Sequence, residues 1–266
     1  MALGIACHPQ RAREDAYVGS KACQTCHLNA AASWAVSTHA TTLQSPLAID
    51  PGWFDGQARA FASQRFTPHR GDGRFAIRDH AGRDWPVHYA LGVDEVQQLL
   101  LPADAGRWQV FPVGIDLTER AWFDVFPEAP EPTHWTHWTN PGAAANSQCL
   151  ECHVTGYVKG YHATEMRYDS RWAEPGVGCE ACHGAGLAHS QDPTRFALPG
   201  SGDAPGAGCA FCHSRRVMLR APYLPSLPAD DQMVFELLDS DLYFADGQLR
   251  GEAYEWTSFA MSRMGV

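Results

Sequence analysis

Apolar and polar positions change rhythm several times along the chain. Leu28 to Ala35 is alanine-rich and predicts a helix. Arg74-Phe-Ala-Ile-Arg78 alternates polar with apolar, Asp79-His-Ala-Gly82 supplies turn residues, and Trp85 to Tyr89 resumes as a second short strand. Val93 to Leu101 reads as a short helix, and Arg107 to Phe111 and Ala121 to Phe126 as further strands, before a proline-rich stretch from Pro127 to Pro132. Together these predict a small β-rich insert. Residues 133–215 carry glycine, proline and short helical segments, too little to build a large conventional core. The rest passes through Pro222, Pro225 and Pro228 and ends in an apolar segment from Tyr254 with no capping signal.

The cysteines organise this pattern. Cys23-Gln-Thr-Cys26-His27, Cys149-Leu-Glu-Cys152-His153, Cys179-Glu-Ala-Cys182-His183 and Cys209-Ala-Phe-Cys212-His213 share one arrangement and use eight of the nine cysteines. It is the attachment signature of c-type haem. Two sulfurs must reach the two vinyl groups on one porphyrin edge, and the adjoining imidazole must turn back to the iron from the same side. Paired Cys-x-x-Cys units also build zinc ribbons, but zinc leaves the histidine after every second cysteine unexplained. A thioredoxin-like site needs one such pair near a βαβ unit, not four. The expectation is four haem c groups and a multihaem cytochrome c fold, mostly α and irregular around a haem array, with the small β-rich insert. Haem faces would supply the apolar surface that the sequence lacks. Three intervals follow: 1–49 with the first motif, 50–132 as the insert, and 133–266 with three motifs evenly spaced at 149, 179 and 209.

Composition narrows the partners. At 266 residues, 45% hydrophobic and 19% charged, the chain can bury a core. A net charge of −10 argues against nucleic acid and suits steering of a redox partner protein. No apolar run is long enough for a transmembrane segment. Met1 to Ala6 is too short for a signal peptide, yet covalent haem attachment implies export, so a leader missing or trimmed and a periplasmic or extracellular location are expected. Cys7 has three readings: a lipid-anchor cysteine, a degenerate motif with His8, or an incidental thiol.

Tyr17-Val-Gly-Ser-Lys-Ala-Cys23 through Trp34 and Ser37-Thr-His39 resembles the opening of multihaem cytochromes related to the tetrahaem electron acceptor of hydroxylamine oxidoreductase. It is more similar still to the haem module of tetratricopeptide-repeat multihaem cytochromes. Tyr89 to Gln98, Gln109-Val-Phe-Pro-Val113, His134-Trp-Thr136, Gly176 to Gly184 and Leu242 to Gln248 fit that module in order, so the resemblance covers nearly the whole chain. Those relatives continue past a segment like Ser262 to Val266 into another motif and a repeat array, so the chain is expected to be a shortened form or a fragment.

His27, His153, His183 and His213 are the expected proximal iron ligands, and nine histidines remain for the distal positions. His39 follows the predicted helix, and the resemblance implies a distal role for it. His189 follows His183 across a glycine-rich arm, Gly184-Ala-Gly186, that can carry an imidazole to a neighbouring haem. The resemblance also implies His134, with His137 its rival. The fourth stays open among His162, His8 and His88, while His80 reads as solvated and His69 has no special claim. Met166 and Met218 are alternative ligands that core filling explains as well. Bis-histidine ligation favours electron transfer. The leading expectation is therefore an electron carrier rather than an enzyme. The alternatives are an enzyme with one open haem acting on small nitrogen compounds, or a subunit of a haem-stacked filament assembled with other copies of itself. The Cys-x-x-Cys-Lys variant, which resembles the catalytic site of nitrite reductases, is absent.

Overall fold

The computed structural model describes residues 16–71, 73–92, 95–128, 130–198, 207–219, 221–225, 227–236, 242–246, 248–250 and 254–263. Cys7 and His8 lie outside them. The chain divides into two compact units, residues 28–177 and residues 1–27 with 178–266.

Ten of the described strands of the unit 28–177 build its two main antiparallel sheets: β1 (Leu43–Gln44), β2 (Arg59–Ala60), β3 (Arg65–Gly71), β4 (Arg74–Asp79), β5 (Asp84–Pro86), β6 (Tyr89–Leu91), β7 (Val96–Pro102), β8 (Trp108–Val110), β9 (Val113–Asp116) and β10 (Ala121–Asp124). One sheet runs β2-β3-β4-β5; the other runs β1-β6-β7-β9-β10, with β8 also paired to β7. The predicted helix at Leu28–Ala35 forms as read.

Two expectations are corrected. The short helix expected over Val93 to Leu101 is replaced, from Val96 on, by the central strand β7, Val96–Pro102. Leu99 and Leu101 enter a core with Phe66, Ile77, Phe111 and Trp138, while Leu100 enters a second core with Leu43, Val110 and Leu150. A strand buried on both faces carries an unbroken apolar run, which periodicity does not separate from a buried helix. The expected fold, mostly α and irregular with a small β-rich insert, fails with it: among the described residues helix and strand occupy near-equal shares, 28% and 27%. The sheets, not an accessory to a helical array, carry the main apolar core of this unit.

The other unit has short helices at Ser20–Cys23, Cys179–His183, Leu187–Gln191, Ala207–His213 and Glu255–Met261, and a ladder of Arg216–Met218 with Met233–Phe235. Of 29 buried hydrophobic side chains among the described residues, only Ala210, Phe211, Met233 and Tyr243 belong to it. It holds three of the four motifs.

Candidate functional site

The second motif rests on the six-stranded sheet. Its helix Leu150–His153 drops the fully buried Leu150 into the core with Leu100 and Val110, and Cys149 packs against the same cluster. Buried Asn146, in the preceding helical turn, ties this segment to the sheet. Its Oδ1 accepts from Trp108 N (2.7 Å), and its Nδ2 donates to Gly106 O (3.2 Å) and Ser170 Oγ (2.9 Å). The Tyr157 hydroxyl donates to Asn146 O (2.7 Å). Burial pushes the Cys149 thiol up to about 11, with the Cys152 charge adding to it. His153 Nδ1 lies 3.3 Å from Thr42 O. A carbonyl only accepts, so Nδ1 carries the proton and Nε2 keeps its lone pair for a metal. Burial also lowers the His153 pKa.

Trp34, Ser37 and His39 form a clamp on Val177. The Trp34 indole donates to Val177 O (2.8 Å), Ser37 Oγ donates to Trp34 O (2.6 Å), and Val177 N donates to His39 O (2.9 Å). Gly176 sits beneath it at φ +81, where a Cβ would stand 2.7 Å from Ala40 O. Gly176→Ala should therefore cost about 1–3 kcal/mol in strain and clash, and a thermal melt checks it. An unchanged midpoint would remove the clamp as the determinant of where His39 sits.

In the other unit the first and third motifs interlock. Cys179 N donates to Ser20 Oγ (3.0 Å), joining the two motif helices. The Cys23 and Cys179 thiols lie within hydrogen-bonding reach; burial, then the Cys179 and Glu180 charges, push Cys23 up to about 11. Glu180, inside the third motif, is buried and accepts from Val18 N (3.0 Å), Gly19 N (2.7 Å) and Gly186 N (2.7 Å). Burial raises the Cys182 thiol, with Cys209 and Cys179 contributing. Tyr223 stacks on Phe211 of the fourth motif at 3.9 Å between ring centroids, close enough to Cys212, Cys182 and Cys209 to feel all three.

The imidazoles of His27 and His189 face each other with centroids 6.1 Å apart and planes 21° apart. Two rings sharing one metal ion, each bonded through nitrogen at about 2 Å, have centroids about 6 Å apart. His189 Nδ1 lies 2.7 Å from Phe196 O, which again leaves Nε2 free of the proton. His213 Nδ1 is held by Glu255 Oε2 at 3.1 Å in the same sense.

The remaining candidates divide by the nitrogen they engage. His134 and His137 sit on successive turns, Nδ1 against Thr136 Oγ1 (2.7 Å) and Thr139 Oγ1 (2.8 Å). Buried Gln109 pins this segment by donating to Trp138 O and Asn140 O. His88 packs against Trp108 at 5.5 Å, and burial lowers its pKa. His69 instead commits Nε2 to Asp84 (2.9 Å), an ion-pair arrangement shared with Arg78. His162 stands exposed on a two-residue strand paired with Arg167–Tyr168. Among the described residues, no hydrogen bond or ring contact joins His134 or His162 to a motif residue. Glu180 was not singled out by the sequence reading, since nothing in an acidic residue between two cysteines announces burial.

The donor chemistry fits haem c. The eight motif cysteines are thiols, and among the described residues no three of His, Cys, Asp and Glu converge on a point a metal ion could take. A zinc ribbon needs four converging protein donors. A haem brings its own equatorial nitrogens and asks for two sulfurs at its edge and an imidazole on each face. Apolar side chains lie open beside the motifs, among them Leu28, Phe196, Val217 and Phe259.

A family model described as "Cytochrome c554 and c-prime" matches residues 131–184. The structure of outer cell wall cytochrome OcwA superposes with TM-score 0.66 at 19% identity, over 93% of this chain and 51% of that one. This is the fold of a multihaem c-type cytochrome. The chain thus spans about half the length of that protein. An undecahaem cytochrome from the S-layer of Carboxydothermus ferrireducens aligns at TM-score 0.48 and 22% identity, over 84% of this chain and 29% of that one. No curated protein matches the chain. No helix among the described residues is long and apolar enough to cross a membrane.

Proposed function

We propose that the chain is an exported electron carrier holding four haem c groups, working outside the cytoplasm with redox partner proteins. The observation that carries this reading is the facing pair His27 and His189 beside the adjoining thiols Cys23 and Cys179. When bound, the haems supply reversible one-electron chemistry. The chain's own task is then to fix attachment points close together and to deny the metal an open position.

Each residue has a part in this. Cys23, Cys26, Cys149, Cys152, Cys179, Cys182, Cys209 and Cys212 would form the thioethers, and His27, His153, His183 and His213 would bind from the same side. Thr42 and Glu255 orient two of those rings through Nδ1. His189 would complete the first site opposite His27. His39, His134 and His162 remain proposed distal ligands for the others, with His137 and His88 also presenting usable imidazoles. Ser20 and Glu180 draw the first and third motifs together, and Tyr223 sits where the third and fourth meet. The acidic balance of the sequence favours a basic docking partner. The outer cell wall placement of OcwA, the neighbour with the same fold, supports export. The sequence likeness to tetrahaem acceptors of hydroxylamine oxidoreductase belongs to the same reading.

The decisive measurement is the mass of the intact, exported protein after acid–acetone extraction. Four haems are expected to stay attached and coloured. Fewer than four covalent haems, or stoichiometric zinc, would end the reading.

A further inference from the structure

Glu180 is a buried carboxylate inside the third motif, and its hydrogen bonds reach both the lead-in to the first motif, 162 positions away, and the arm six residues on. Its two oxygens accept from Val18 N at 3.0 and 3.1 Å, and Oε2 takes Gly19 N at 2.7 Å. Oε1 also takes Gly186 N at 2.7 Å. Val18 and Gly19 lead directly into the helix Ser20–Cys23, and so to His27. Gly186 opens the helix Leu187–Gln191, which carries His189. A Cβ on Gly186 would come within 3.2 Å of Glu180 Oε1, so the arm lies close against the carboxylate. Leu187 N donates to Ala16 O (3.0 Å), closing the same junction from its other side.

We propose that Glu180 is the positioning residue for the His27/His189 pair, and that its buried charge holds the neighbouring metal centres at lower reduction potential. This rests on the reading that those two histidines share one iron. One anion grips the lead-in to the first imidazole and the base of the arm bearing the second. Hydrogen bonds to a charged acceptor are stronger than neutral ones, so one side chain fixes both approaches. A buried negative charge also stabilises the more positive, oxidised iron, because the low dielectric leaves its field poorly screened.

The test uses the purified holoprotein carrying Glu180→Ala, Glu180→Gln or His189→Ala, with haem count, low-temperature electron paramagnetic resonance and a potentiometric titration for each. Glu180→Ala is expected to keep four haems, place a fraction of one iron in the high-spin state, and return it to low spin on adding imidazole. Glu180→Gln keeps the bulk, removes the charge and puts an NH2 that cannot accept where one oxygen takes Gly19 N or Gly186 N, so a smaller high-spin fraction than in Glu180→Ala is expected, with at least one titration step moved to more positive potential. Should the alanine variant fail to accumulate, the glutamine variant decides through its potentials. Spin states and potentials unchanged from wild type in the Glu180 variants would overturn the proposal. If His189→Ala opens an iron while both Glu180 variants behave as wild type, the proposal for Glu180 is lost and the axial pairing stands. If His189→Ala itself stays wholly low-spin, the axial pairing beneath the proposal has failed.

Discussion

Replacing His189 by alanine should leave four haems attached and turn one iron into a high-spin centre that binds cyanide or nitric oxide. The arrangement with His27, 6.1 Å between centroids, is the reason. On the proposed assignment, thioethers at Cys23 and Cys26 and the imidazole of His27 would still hold the porphyrin, so only the sixth position would be vacated. Loss of one of two nitrogen donors also raises that centre's reduction potential. Titration against cyanide, read in the Soret band, should give one binding site per chain where the wild type has none at His27. A variant indistinguishable from wild type would place the distal ligand of the first haem elsewhere.

Leu150→Ala is expected to destabilise the unit 28–177 by about 2–5 kcal/mol, the range for deleting a fully buried leucine. Leu150 lies between two cysteines of the second motif and buries completely against Leu100, Val110 and Val154. The loss therefore appears both as a lower urea midpoint and as a broadened spectrum from the haem at Cys149 and Cys152. A midpoint within error of wild type would mean that this motif does not depend on the sheet for its seat.

The four motifs were legible because their chemistry is local: sulfur spacing and an adjacent imidazole sit within five residues. The alternating segment Arg74–Asp79 and the segment Ala121–Asp124 declare themselves in the same way, since each strand has one face turned away from the core. β7 conceals itself by being buried on both faces. β3 conceals itself with Pro68, a residue that argues against a strand. Its pairing explains the tolerance: β2 reaches only Arg65 and Phe66, and Pro68 O turns outward to accept from Gly56 N, so the missing N–H also faces away from β4. Among the histidines, the glycine-rich arm pointed to His189, but the partner it meets was not readable. That meeting depends on Glu180, whose contacts span 162 positions of chain. Which imidazole nitrogen stays unprotonated, the feature separating His69 from His153, exists only once the fold supplies a neighbour.

Among its described residues, the unit that carries three attachment motifs buries only Ala210, Phe211, Met233 and Tyr243 of its apolar side chains. An order of maturation is the expected consequence. The stranded unit should consolidate first, on aromatic and aliphatic packing that needs no cofactor, while the segments around Cys23, Cys179 and Cys209 stay open to attachment. Chains that never receive porphyrin should then keep those segments accessible to proteases. Cofactor supply would thereby double as quality control, and starvation for iron should leave behind a trimmed, colourless remnant bounded near Leu28 and Val177.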